Sequence, residues 1–327
     1  MKAVFVAVSL SLPLSFSLAS AQLTKVTVGY SAIGAVHFPA WMAKESGIFR
    51  SNGLDVQLVY FTGGTTAVMA LLSREAPINQ MAGPAIVSAN LRGADTVMIA
   101  GGIVIADQWL MSRPEIKTAK QLKGGSVAIA RFGRLADFMA RIALQRVGLV
   151  PIKDVAIMQI GTGPDRLSAL QTGKVQAAML GAPDISIAEK KGFYILESAS
   201  LPYQTVGVAT TRRFIREHPG IVRSYIKSQI EAVHRIKTDR EMGKKVLVKY
   251  LGSQDKDILE RTYDRTIPDD KLPPKQYPTL EGIKNILEPL AQTDAKAKAA
   301  KPEDFVDMSF IKELDQSGYI DSLYKKK

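Results

Sequence analysis

The chain has 327 residues, a formal net charge of +12 and no cysteine. Its hydrophobic fraction of 46% and charged fraction of 23% are those of an ordinary soluble globular protein, and its length fits two domains of roughly 100–200 residues each. The missing thiols exclude disulfides, thiolate nucleophiles and zinc–thiolate sites, and a core of this size needs none of them.

The first segment, MKAVFVAVSLSLPLSFSLASA, carries Lys2, an apolar run from Ala3 to Leu18, and the small residues Ala19-Ser20-Ala21. That pattern predicts a cleavable secretory signal, cut after Ala21. A transmembrane anchor fits less well, because the run is interrupted by serines and Pro13 and falls short of the roughly 20 apolar residues a span needs. Residue 22 is glutamine and not a lipidated cysteine, so the mature protein is expected to diffuse freely in a periplasm. Losing Lys2 lowers the charge by one, from +12 to +11. Export and the even scatter of Lys and Arg argue against a nucleic-acid partner; an anionic ligand or a membrane partner fits better.

Strands and helices then alternate. Lys25–Tyr30 reads as a strand, and Phe38, Trp41, Met42 and Ala43 form a helical face stopped by Gly47. Asp55–Phe61 is the second strand, and Thr62-Gly63-Gly64-Thr65-Thr66 turns it into a helix over 67–74. A short strand near Ile78 ends at Gly83-Pro84, a helix runs to Leu91, and 96–105 reads as a fourth strand. A second run follows Arg113-Pro114, with strands over 126–130, 155–160 and 175–180 and helices over 135–147 and 165–172. After Tyr203 and a last strand-like piece at 205–209 the chain turns mostly helical. Alternation of this kind predicts α/β lobes with parallel sheets covered by helices on both faces. The expected lobes are 22–112 plus 204–327, and 113–203.

In such sheets ligands bind beyond the carboxyl ends of the strands, where helix N-termini gather. The candidate turns are Ser31–Gly34, Gly63–Thr66 and Gly83-Pro84 in one lobe. In the other they are Arg131-Phe132-Gly133-Arg134, Gly161-Thr162-Gly163 and Gly181–Pro183. Glycine and threonine before a helix also serve as plain turns and caps; the repeated placement is what gives these turns weight. Arg131 follows a strand directly and is a candidate partner for an anionic group. Tyr203 is a candidate aromatic wall, whereas Trp41 lies on an apolar helical face and reads as core. His37 opens the first helix at the ligand end. The three histidines lack metal-ligand spacing, and no P-loop, G-x-G-x-x-G, G-x-S-x-G or H-E-x-x-H motif occurs. No catalysis, metal or cofactor is expected.

PAWMAKESGIFRSNGLDVQLVYFTGGTTAVMALLSREAPI resembles the first lobe of the solute-binding proteins of nitrate, sulfonate and taurine ABC importers, the NMT1/THI5-like or SsuA-like family. The phrase from Gly47-Ile48-Phe49 to Gly53-Leu54-Asp55-Val56 carries the likeness, as do VAIARFGRLADFMARIALQRVGLVPIKDVAIMQIG and RLSALQTGKVQAAMLGAP in the second lobe, and YPTLEGI and KPEDFVD in the tail. The resemblance implies a type II periplasmic binding-protein fold, two α/β lobes around a cleft with the helical tail packed on lobe 1. It implies cleft positions Ser31, Gly63, Gly64, Thr65, Gly83, Pro84, Arg131, Phe132, Gly133, Gly161 and Pro183. Arg134 stands where many relatives have a small hydroxyl residue. A cysteine-free chain does not match the family's pyrimidine-synthesis enzymes, which carry a cysteine-rich iron motif. The expected function is capture of a small, anionic organic ligand by a monomer that delivers it to an inner-membrane ABC permease. A ligand-binding partner of a membrane sensor and a secreted enzyme using His37 are the alternatives.

Overall fold

The structure is a computed structural model that describes residues 22–132 and 135–325; residues 1–21, read above as an export signal, and Gly133, Arg134, Lys326 and Lys327 lie outside the described residues. Alternating side chains place Val26 and Val28 of β1 (Thr24–Tyr30) inward. β1 pairs in parallel with β2 (Leu54–Tyr60), in a register running from Thr24 opposite Leu54 to Tyr30 opposite Tyr60. Between them lie α1 (Phe38–Glu45) and α2 (Ile48–Ser51). Then come α3 (Gly63–Leu72), β3 (Ile78–Met81), α4 (Gly83–Leu91) and β4 (Thr96–Ala100).

The second lobe holds β5 (Ile105–Ser112), α5 (Ala119–Leu122), β6 (Ser126–Ile129), α6 (Leu135–Arg146) and β7 (Ala156–Gln159). It continues through α7 (Gly163–Gln171), β8 (Ala177–Leu180), α8 (Asp184–Lys190) and β9 (Tyr194–Pro202). The chain then returns as β10 (Gly207–Thr211) to the first sheet. Each sheet has five strands, ordered β2-β1-β3-β10-β4 and β7-β6-β8-β5-β9. The sheets are mixed where parallel ones were expected. β10 runs antiparallel to β3 and β4, and β5 antiparallel to β8 and β9, because both join their sheets after crossing between lobes.

The tail begins with α9 (Arg212–Glu217) and the long α10 (Pro219–Thr238). Val222, Tyr225, Ile226, Ile230, Val233 and Ile236 of α10 share a buried core with Phe38, Trp41 and Met42 of α1. Burying each side chain of that size contributes about 1.5–3 kcal/mol, so this stripe fixes the tail on lobe 1. α11 (Arg240–Leu251), α12 (Lys256–Thr266), α13 (Leu280–Leu290), α14 (Ala295–Ala299), α15 (Ser309–Gln316) and α16 (Tyr319–Tyr324) complete it. No helix among the described residues is long and apolar enough to cross a membrane.

The expected fourth strand over 96–105 is two strands. β4 stops at Ala100, and Ile105–Ser112 belongs to the second sheet, so the first crossover lies at 101–104 and not after 112. Gly101 and Gly102 allow the break. The Gly101 N–H donates to the Gln276 carbonyl at 2.7 Å, and a Cβ at 101 would stand 2.5 Å from the Tyr277 carbonyl oxygen. A Cβ at 102 would stand 2.8 Å from the Val206 carbonyl oxygen. The return crossover pairs with the first: Tyr203 N–H donates to Val104 O at 2.9 Å and Thr205 N–H to Ile103 O at 3.0 Å.

Because the obstacle at 101 is backbone, which cannot swing aside, Gly101→Ala should destabilise the fold by about 1–3 kcal/mol. Urea denaturation measures this, and an unchanged midpoint contradicts the close approach.

Candidate functional site

The strand-to-helix turns of lobe 1 meet as the sequence suggested. The Gly63 N–H donates to the Ser31 carbonyl at 3.2 Å, tying the β1 and β2 exits together. A Cβ at Gly64 would stand 2.6 Å from the Ala85 Cβ, so the first turns of α3 and α4 touch through small residues. Gly83 is buried; its N–H donates to the Gln204 carbonyl at 3.0 Å, and a Cβ there would lie 2.4 Å from the same oxygen. The start of α4, with Pro84 in its first turn, therefore rests on the return crossover. Neither α3 nor α4 has a side-chain cap. By contrast α5, α9, α11, α12 and α13 begin on side-chain caps from Thr118, Thr211, Asp239, Asp255 and Thr279. Lack of a cap is not peculiar to α3 and α4, since α1, α10 and α15 also start without one, and α7 at the lobe 2 turn has one.

Thr65 and Thr66 are exposed in the first turn of α3, which begins at Gly63 and not near Ala67 as expected. The Thr66 hydroxyl donates to the Thr62 carbonyl at 2.8 Å and so serves its own helix. In lobe 2, Thr162 is a cap: its hydroxyl accepts from the Asp165 N–H and donates to Asp165 Oδ2 at 2.6 Å. The hydroxyl expected to meet a ligand is thus engaged within its own helix start, though Thr162 itself is exposed. Beneath it Arg166 is buried, with Nε on the Met179 carbonyl at 2.8 Å and Nη1 on the Gly161 carbonyl at 2.6 Å. Burial lowers the Arg166 pKa and raises that of Asp184, each partly opposed by attraction to the other. Asp184 follows Pro183, and its Oδ2 lies 2.0 Å from where a Cβ at Gly163 would stand. The buried cation of this wall is thereby matched by a carboxylate. Arg131 and Phe132 are exposed at the exit of β6, and the Phe132 N–H is held by Gln159 Oε1 at 2.8 Å. No carboxylate among the described residues pairs with Arg131.

His37 does not reach the cleft. It is fully buried beside Tyr30 and Trp41, with ring centroids 5.8 and 6.3 Å away, and neither ring nitrogen has a hydrogen-bond partner. The helix it opens carries its ring down onto the aromatic core, while buried Ala35 and half-buried Val36 border the space between the lobes. A ring without access cannot meet a substrate, which removes the geometric basis for catalysis by His37.

Two spaces between the lobes share Thr205, whose hydroxyl donates to the Ile105 carbonyl at 2.9 Å. One, of about 140 Å³, joins Ala35 and Val36 of lobe 1 to Gln108, Trp109, Gly181 and Ala182 of lobe 2. Gln108 Oε1 is buried there without a partner. Ion pairs close this side. Arg265 of α12 meets Glu189 of α8 at 2.6 Å and Ser186 Oγ at 2.6 Å, and Lys190 pairs with Asp255 and Lys271 with Asp107. The Arg265 and Lys271 cations lie 5.5 and 5.8 Å from the Trp109 ring centre. The other space, of about 660 Å³, is bounded by Pro84 and α13 from lobe 1, α6 from lobe 2 and the Tyr203–Thr205 crossover. Of the residues named from sequence, Pro84 and Tyr203 line it. Thr205, Gln108, Arg265 and Lys271 had no signal in the sequence beyond their residue types, since crossovers and tertiary ion pairs bring them together. No cluster of potential metal ligands occurs among the described residues.

Two mixed five-stranded sheets, crossed twice by the chain and facing each other over a cleft, define a two-lobed α/β protein of the type II periplasmic binding-protein fold. The aliphatic sulphonate-binding protein SsuA of Escherichia coli superposes with a TM-score of 0.65 at 18% identity, covering 87% of this chain and 92% of SsuA. The nitrate-binding protein NrtA of Synechocystis PCC 6803 superposes with a TM-score of 0.66 at 12% identity, covering 90% and 89%. At these identities the likeness is one of fold. The sequence pattern of the NMT1-like family matches residues 19–251, and the chain belongs to that family. The taurine-binding periplasmic protein of Escherichia coli is 26% identical over 225 residues, 67% of this chain and 68% of that protein. YtlA of Bacillus subtilis is 27% identical over 209 residues, 60% of this chain and 63% of YtlA, so the match spans less than two thirds of that relative.

Burial lowers the His37 pKa from 6.5 to about 4. Between those values the unfolded chain holds a proton that the folded chain refuses, so stability falls as pH falls through this window. His37→Phe should remove that loss, about 3 kcal/mol at 1.36 kcal/mol per pH unit. Parallel denaturation profiles of the two proteins between pH 7 and 4 would contradict the burial.

Proposed function

We propose that the chain is an exported solute receptor that captures a small organic anion between its lobes and delivers it to an ABC importer. The observation that carries this reading is the cleft itself. Thr205 is shared by the two spaces between the lobes, and the uncapped helix starts at Gly63 and Gly83 are proposed to face Arg131, which has no carboxylate partner among the described residues, across them. Binding needs no covalent chemistry; lobe closure about the crossovers removes the ligand from water. The fold and the family support the same reading, as do the periplasmic relatives. The signal pattern of residues 1–21 supports export, and Gln22 in place of a lipidated cysteine supports a receptor that diffuses to its permease; we take it to act as a monomer. The lobes are taken as the two sheets with their covering helices, and the tail as part of lobe 1.

Ser31, Gly63, Gly64, Thr65, Gly83 and Pro84 are proposed to form the lobe 1 wall, and Arg131, Phe132, Gly161 and Pro183 the facing wall. A melting-temperature screen against small carboxylates, sulfonates, nitrate and pyrimidines tests the receptor reading. At least one class should raise the melting temperature in proportion to its concentration, and no shift across the screen would contradict it. With a ligand in hand, Arg131→Ala should weaken binding by about 1.5–3 kcal/mol, the range for a hydrogen bond to a charged group. Unchanged affinity by calorimetry would put Arg131 outside the site.

A further inference from the structure

The two spaces that share Thr205 differ in size and chemistry. The 140 Å³ space is edged by Asp107, Gln108, Arg265 and Lys271 and is less than a quarter of the size of the other. The 660 Å³ space is of the size that holds whole organic ligands. Its walls are mainly apolar, with Ala82 and Pro84 at the start of α4, Leu135 and Phe138 on α6, and Ile286 and Leu290 on α13. Phe138 is 51% exposed, an unusual state for an aromatic side chain in a concave wall.

The charges around this chamber are not arranged for an anion. Arg141 pairs with Asp137 at 2.9 Å, Asn285 donates to the Pro202 carbonyl at 2.8 Å, and the exposed Glu288 adds a negative charge at the rim. Among the described residues an anionic group would meet no uncommitted cation there, whereas an apolar group would cover Phe138 and release water from the walls. We propose that this chamber receives the apolar body of an organic ligand, a ring or a medium-length chain, whose polar end lies across Thr205 in the cleft. The proposal rests on the receptor reading and narrows it: the ligand is an amphiphile, and the chamber sets its size.

Calorimetric titration with linear carboxylates and linear sulfonates of two to eight carbons tests this. Affinity should rise about three- to fourfold with each methylene until the chamber is full, the gain for moving one such group out of water. Ser88→Phe, which fills the chamber from α4, should flatten the series while short members keep their affinity. Phe138→Ala should weaken the longest members about tenfold or more; because Phe138 is half exposed, the variant should fold. Equal affinity of short and long members in the unaltered protein overturns the chamber and leaves the receptor reading standing. Binding by no member also overturns it, and the receptor reading is then judged on the melting-temperature screen.

Discussion

The two crossovers and the hydrogen bonds between them are the constraint on which everything else depends. Ile103 accepts from both Thr205 and Val206, Val104 accepts from Tyr203 and donates to the Lys271 carbonyl at 2.9 Å, and Gly101 donates to Gln276. Gln204 extends the set with its side chain, donating to the Val206 carbonyl at 2.7 Å and accepting from the Thr279 N–H at 2.9 Å. These bonds hold two strands that leave one sheet and enter another, and they fasten the tail loop near 271–279 to the same spot. A buried polar ladder backs it: Gln80 donates to Gln229 and Gln229 to Gln276, both at 2.9 Å. Such groups would cost several kcal/mol buried unpaired, so their pairing fixes one arrangement of sheet, α10 and crossover.

From that joint the cleft acquires two unlike sides. Where α12 faces α8, charges from both lobes meet and tie them together. Partly buried pairs such as Arg265–Glu189 gain from mutual attraction but carry a desolvation cost, so they specify how the lobes approach more than they stabilise them. Where α13 faces α6, apolar side chains line an open chamber. The cleft is therefore polar and tight at one end and apolar and roomy at the other.

Much of the scaffold is legible in the sequence. The alternation of KVTVGY and the helical face of Phe38, Trp41 and Met42 locate β1 and α1 because burial on one face leaves a periodic trace. The stripe of α10 is legible for the same reason. β5 was hidden because Gly101-Gly102 sits inside one apolar run, and glycine marks a break only once its neighbours are known. β9 is an edge strand with mixed exposure and α8 is short, so neither has a clean period. The approach of the Ser31, Gly63 and Ala85 turns follows from chain order, since an α/β fold places strand exits together. His37 was misplaced because opening a helix at the ligand end does not say which way the ring turns. Thr162 was read as a candidate contact where capping chemistry uses its hydroxyl. The chamber was not legible at all, since α4, α6 and α13 meet there only through tertiary structure.

The central claim is that the paired crossovers hold two lobes around a small organic molecule. The most direct measurement is native mass spectrometry of the protein isolated from its own cells without denaturant, compared with the same sample after unfolding. The account predicts a native mass above that of the unfolded chain by a single small organic molecule, released on unfolding. Identical masses, persisting after exposure to the small-molecule fraction of those cells, would contradict it.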